Sequence, residues 1–247
     1  MSLFSSYCDE FYVNLCLNTE MELPRNRDTL LHFFEQLQKQ YPTMRNFYSR
    51  DRGEYILEED KDSGKYRWTS VEAKRISSGF VNPETIESAQ EQHRLVLESV
   101  PYTLTVSPID CESLDYMFGF DFTYRGNHHA LLAEALGLVP AFDKVTEVPG
   151  FQLVSNDPSI QFALDEDCRT QCRISIESRT SAYHIRTGEF PEEQISVYLT
   201  LRRYGGLDPD MTYHQALQSL QQHAAKILDD YLVENILQPL HATIAIK

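Results

Sequence analysis

The sequence predicts an α+β fold made of two tandem ferredoxin-like or helix-grip-like halves, an internal duplication in which helices pack on one face of an antiparallel sheet. Three observations carry this expectation. Apolar side chains alternate along Phe11–Leu17 and again along Tyr116–Tyr124. Each alternating run is followed by apolar residues at helical spacing. Shorter segments then recur roughly 106 residues apart, Leu57-Glu58-Glu59-Asp60 with Leu164-Asp165-Glu166-Asp167, and Lys65–Thr69 with Gln171–Ser175.

In the first half, Phe11, Val13, Leu15 and Leu17 share one face of a strand. Leu30, Leu31, Phe34, Leu37 and Tyr41 form the stripe of a helix capped by Asn26 or Asp28 and stopped before Pro42. A hairpin follows through the acidic segment Glu58–Asp62. Asn82-Pro83 then predicts a cap and first helical turn leading into Ile86, Ala89, His93, Val96, Leu97 and Val100. A short strand, Tyr102–Val106, closes the half.

In the second half, Tyr116, Phe118, Phe120, Phe122 and Tyr124 alternate, and Asn127 caps a short helix with Leu131, Leu132, Ala135 and Leu136 before Gly137. Ile195–Leu201 predicts a further strand with no clear counterpart in the first half. Asp208 or Asp210 opens a closing helix lined by Leu217, Leu220, Ala224, Ile227, Leu228 and Tyr231; Pro239 ends it, and Thr243–Ile246 predicts a last strand. The halves divide as 1–108 and 109–247 and are expected to share one continuous sheet.

Composition limits the function classes. The chain has 247 residues, 22 Lys+Arg against 37 Asp+Glu for a net charge of −15, and 42% hydrophobic residues, enough for a substantial core. No apolar run has the roughly 18 residues needed to cross a bilayer. The N-terminal ten residues lack the basic and apolar regions of a secretory signal. Five cysteines without a dense framework predict free thiols, and the expected location is the cytoplasm. Both halves are acidic, which argues against nucleic-acid binding, where Lys and Arg must neutralise phosphates.

No nucleotide-binding, zinc-protease or serine-hydrolase motif is present, so the sequence identifies no catalytic residues, cofactor or metal. Strand alternation is more informative. If the large apolar residues point at the helices, the opposite face displays Tyr12, Asn14, Cys16, Asp121, Thr123, Arg173, Ser175, Glu177, Arg179, Ser196, Tyr198, Thr200 and Arg202. On that face Arg173 and Arg202 are candidate anchors for an anionic group, Tyr198 a stacking platform, and Glu177 a candidate acid or base. His184 joins them as a candidate from the connection before the Ile195 strand. The bland counterpart is a solvated sheet surface laced with cross-strand ion pairs.

The acidic segments are expected to be solvated turns, His128-His129 exposed first-turn residues, His93 a core histidine, and Cys168/Cys172 too poorly spaced for zinc. The leading expectation is a binding or protein-interaction protein that uses the open face or an edge of the sheet. The alternative is a small-molecule enzyme with an anion-anchoring site on the same face or at the junction of the halves. The acidity favours a basic protein partner or a small anionic ligand, with no membrane contact, and unmatched edges would allow a homodimer.

Overall fold

Along β1 (Glu10–Thr19) half-buried and buried side chains alternate without a break, so one face of the strand lies entirely in the core. The computed structural model describes residues 4–50, 53–151 and 153–247. β1 is followed by α1 (Arg27–Gln40), β2 (Asn46–Arg50), β3 (Glu54–Glu58), β4 (Tyr66–Val71), β5 (Arg75–Val81) and α2 (Ile86–Thr103). The chain continues with β6 (Cys111–Arg125), α3 (His128–Leu136), α4 (Pro140–Asp143), β7 (Ser159–Ala163), β8 (Thr170–Glu177), α5 (Ala182–Thr187), β9 (Glu192–Tyr204) and α6 (Tyr213–Ile227). A π-helical stretch, Leu228–Leu237, joins α6 to α7 (Gln238–Ala245).

The strands form one nine-stranded sheet in the order β2-β3-β4-β5-β1-β6-β9-β8-β7, antiparallel throughout among the described residues. β1 and β6 lie side by side at its centre, and the long strands β6 and β9 carry the chain across. The core is the helix-facing surface of the sheet. Phe11 stacks on Phe118 and Phe120 at centroid distances of 5.9 and 5.2 Å, and Tyr116 meets Phe118 edge-on at 5.2 Å. Truncating one such ring would cost about 3–5 kcal/mol. α2 packs on β1 and β5, α6 on β6 and β9, and the two helices meet each other. Helix starts are set by side-chain caps at Asn26, Thr85, Asn127 and Thr212, the last with Gln215 in a reciprocal pair.

Several expectations are corrected. Tyr102–Val106 is the last turn of α2 and the loop after it; Leu104 and Val106 are buried by packing, without strand pairing. Thr243–Ile246 lies in α7 and its end, because the π-helical stretch Leu228–Leu237 runs on into α7 and carries the helical chain past Pro239. Asn82 does not cap α2. It adopts φ 47° and bridges elements instead, accepting from the Phe11 N–H at 3.0 Å and donating to the Gly64 carbonyl at 2.8 Å, while Thr85 makes the cap. Ile195–Leu201 is a strand, as expected, and is part of a longer one. It belongs to β9, which pairs with β6 on one side and β8 on the other.

Candidate functional site: a groove across the open sheet face

The pairing registers line up one row of open-face residues strand by strand: Trp68 on β4, Gly79 on β5, Asn14 on β1, Met117 on β6, Thr200 on β9, Arg173 on β8 and Gln161 on β7. At about 4.8 Å per strand the row runs roughly 30 Å along the sheet surface, perpendicular to the strands. On one side lies the row Ser77, Cys16, Asp115, Arg202, Gln171; on the other, Tyr12, Gly119, Tyr198, Ser175. A cavity of about 380 Å³ follows these rows and is walled by Trp68, Met117, Tyr198, Arg173 and Arg202 among others.

Two glycines shape it. A Cβ on Gly79 would collide with the Trp68 indole and the Asn14 carboxamide, and one on Gly119 with the Tyr12 ring. Each aromatic ring therefore lies down on its cross-strand glycine, where a larger neighbour would make it stand up and fill the groove. The Trp68 strand is held from the other side of the sheet: Gln92 Nε2 donates to the carbonyls of Trp68 and Gly79 at 3.1 and 3.2 Å and to Ser78 Oγ at 2.9 Å. Asn14 Oδ1, pressed beneath the indole, is buried without a hydrogen-bond partner.

The polar groups divide sharply in how they are used. Arg202 is engaged: its Nε and an Nη donate to the two Asp115 oxygens, both at 2.6 Å, a bidentate pair that holds the guanidinium charged. Glu177 lies 3.7 Å from Arg179. Arg173 is exposed and donates to Ser159 Oγ at 3.2 Å, with no carboxylate in ion-pair reach among the described residues. Tyr198 is half-buried beside Tyr12, whose phenol is pushed up by burial and by Asp121, which it meets at 3.5 Å. Burial likewise raises the Asp121 carboxyl, against Ser196 and Arg179. Burial raises the Cys16 thiol, which accepts from Ser77 Oγ at 3.6 Å.

Of the residues singled out from sequence, Arg173, Glu177, Tyr198 and Arg202 thus line one groove. His184 is elsewhere: it sits in α5, where its Nδ1 accepts from the Ser181 N–H at 3.3 Å, beside a shallow surface formed by Arg125, Tyr183 and Phe190. Trp68, Met117, Gln161 and Asn14 also line the groove, and of these only Asn14 is among the face residues named from alternation.

Three other expectations resolve differently. His128 and His129 are buried, not exposed, because the segment 178–180 folds over them. The Arg179 N–H donates to His128 Nδ1 at 3.2 Å and the Asn156 N–H to His129 Nδ1 at 3.0 Å, which leaves each Nε2–H for a backbone carbonyl, Tyr124 and Thr180. Both rings are structural ties, and burial lowers the His128 imidazole below its ordinary value. Glu58 and Glu59 are also buried: Glu58 accepts from Tyr48 at 3.1 Å and pairs with Lys61 at 2.9 Å, and Glu59 accepts from the Arg67 N–H at 2.7 Å. All five cysteines are free, and Cys172 lies in the core. Among the described residues no three His, Cys, Asp or Glu side chains could share a metal ion, and no helix is long and apolar enough to cross a membrane.

No protein-family model matches this chain, and no curated protein is significantly similar to it.

Proposed function

We propose that this chain is a binding protein whose ligand lies across the strands in the open-face groove, with an anionic group on Arg173 and an apolar or planar portion against Tyr198, Met117 and Trp68. The observation that carries this reading is the contrast between the two groove cations: Arg202 is neutralised by Asp115, whereas Arg173 has no carboxylate among the described residues and projects where a ligand could reach it. A guanidinium fork is the residue of choice for a planar anion. The aromatic walls add contact area. Enzymatic turnover is the weaker reading, since the candidate acid or base Glu177 is paired with Arg179 and His184 lies outside the groove.

On this reading the chain is a duplication divided as 1–108 and 109–247. That division is supported by the place of β1 and β6, each followed by a helix and by antiparallel strands whose last member pairs back on it. The cytoplasm is the compartment that suits five free thiols. The strong negative charge is unsuited to nucleic acid and would steer a basic partner toward the molecule.

The test is native mass spectrometry of the protein purified from its own cells, with Trp68, the single tryptophan, as an optical reporter. A retained anionic small molecule that shifts Trp68 emission, and whose retention falls at least tenfold in Arg173→Met, is the expected result. Retention unchanged in that variant, or protein that comes off bare with Trp68 emission insensitive to the extract, would overturn it.

A further inference from the structure

The sheet has two edges, and they are built differently. β2 ends in Arg50, which meets Glu54 at 3.6 Å, and its Phe47, 43% exposed, leans on the Phe34 ring at a centroid distance of 5.2 Å. β7, Ser159-Ile160-Gln161-Phe162-Ala163, carries no charge, and all five of its residues are exposed. Its register is fixed by pairing with β8, which places Ile160 opposite Ile174 and Phe162 opposite Cys172. Ile174 and Cys172 are buried on the helix-facing side, so the apolar surface of the sheet runs on to Ile160 and Phe162 and stops there uncovered, at 61% and 38% exposure. The connection that leads into β7 adds six more exposed apolar side chains, Val139, Phe142, Val145, Val148, Phe151 and Val154. An uncharged outer strand with an uncovered apolar face is a template for another strand.

Charge decides what that strand is. The edge is bracketed by Asp157 at one end and by Asp165, Glu166 and Asp167 at the other. Glu166 and Asp167 have no cation within ion-pair reach among the described residues. In an antiparallel self-pair centred on Gln161, Asp157 of one copy would face Asp165 of the other, and the same clash would recur by symmetry. A second copy is therefore disfavoured at this edge. We propose that β7 is a docking edge for an extended segment of a partner protein, a β-strand with uncharged, alternately apolar residues at its centre and Lys or Arg at both ends. The partner strand would pair with the outer N–H and C=O groups of β7, cover Ile160 and Phe162 with its apolar side, and place its cations on Asp157 and on Glu166 and Asp167.

The test uses the full chain and a short synthetic peptide of alternating valine and threonine with lysine at each end. Saturable binding that slows amide exchange along Ser159–Ala163, and that weakens about tenfold between low and physiological salt, is the expected result. I160K/F162K, two exposed changes that repel the lysines and remove the apolar cover, should abolish binding with the fold intact, and Trp68→Leu, a groove change on β4 at the far end of the row from β7, should leave it unchanged, so the edge and the groove fail separately. Failure of this peptide to bind, equal binding of a glutamate-ended peptide, binding that leaves β7 exchange untouched, or a dimer in which β7 is already protected would each overturn the proposal.

Discussion

Acid should unfold this protein through His93, and the size of the effect follows from where that ring lies. His93 is fully buried between α2 and the sheet, with Nδ1 3.1 Å from Ser78 Oγ and Nε2 without a side-chain partner. The groups that face it are the Tyr116 ring at 6.2 Å, itself pushed up by burial and so neutral, and the polar but uncharged Ser78 and Gln92. Among the described residues no carboxylate is there to stabilise an imidazolium, and desolvation takes the ring from its ordinary 6.5 down to about 3. The unfolded chain therefore binds a proton that the folded chain refuses. The His93 contribution is intact above about pH 6.5 and is lost as pH falls toward 3, reaching about 3 kcal/mol at pH 4 from 1.36 kcal/mol per unit. Against a total stability of roughly 5–15 kcal/mol this is a large share. Urea unfolding followed by Trp68 emission, run at several pH values on the native chain and on His93→Phe, isolates the term because every other titrating group is common to both. His93→Phe should start about 1 kcal/mol less stable at pH 7, having lost the Ser78 bond, and should lose much less on acidification. Parallel pH profiles for the two proteins would refute the argument.

Gly79→Ala should cost about 1–3 kcal/mol by forcing Trp68 off the strand, and should shift its emission even without ligand; an unchanged spectrum would show that the indole does not rest there. Asp115→Asn should lose about 1–2 kcal/mol in thermal or urea unfolding, since it weakens a bidentate charged pair without emptying the site. Arg173→Met should change stability by less than about 0.5 kcal/mol, as expected for an exposed side chain outside any ion pair, which separates its ligand phenotype from a folding defect. Asn127→Ala removes the acceptor for the His129 and Ala130 N–H groups and should cost about 1 kcal/mol, read as faster amide exchange at the start of α3.

The long strands were legible because one-sided burial writes itself as alternation, and β1, β6, β8 and the centre of β9 all alternate. β5 was not, because Ser77-Ser78-Gly79 breaks its pattern: Ser77 bonds Cys16, Ser78 meets Gln92 and His93, and Gly79 lies under Trp68. β2 and β7 are short, largely exposed edges, so core burial imprints little on their sequences. Prolines misled at both helix ends, since Pro101 stands inside the last turn of α2 and Pro239 at the start of a helix that continues. The same logic governs the site. Parity along a strand placed Arg173, Tyr198, Arg202 and Asn14 on the open face, but parity says nothing of register between strands, so Trp68 and Gln161 could not be set beside them. The buried histidine pair was misjudged because its cover comes from a loop more than fifty residues along the chain.

What the sequence did hold, unused, was a pair of glycines inside strands. Glycine weakens a strand interior and is retained where something must come close. Gly119 lies between Tyr12 and Tyr198 in the register, and Gly79 between Trp68 and Asn14. Both positions alternate with large buried residues, Phe118 and Phe120 beside the first and Phe80 beside the second, so each strand keeps its full weight on the core side and gives up bulk on the open side alone. Serines and a threonine occupy neighbouring open-face places, at Ser77, Ser175 and Thr200. The groove is thus a difference in side-chain volume between two faces of one sheet. An aromatic substituted at Ser77 or Ser175 should fill it with no contact to the core, and ligand retention should fall while the unfolding midpoint holds.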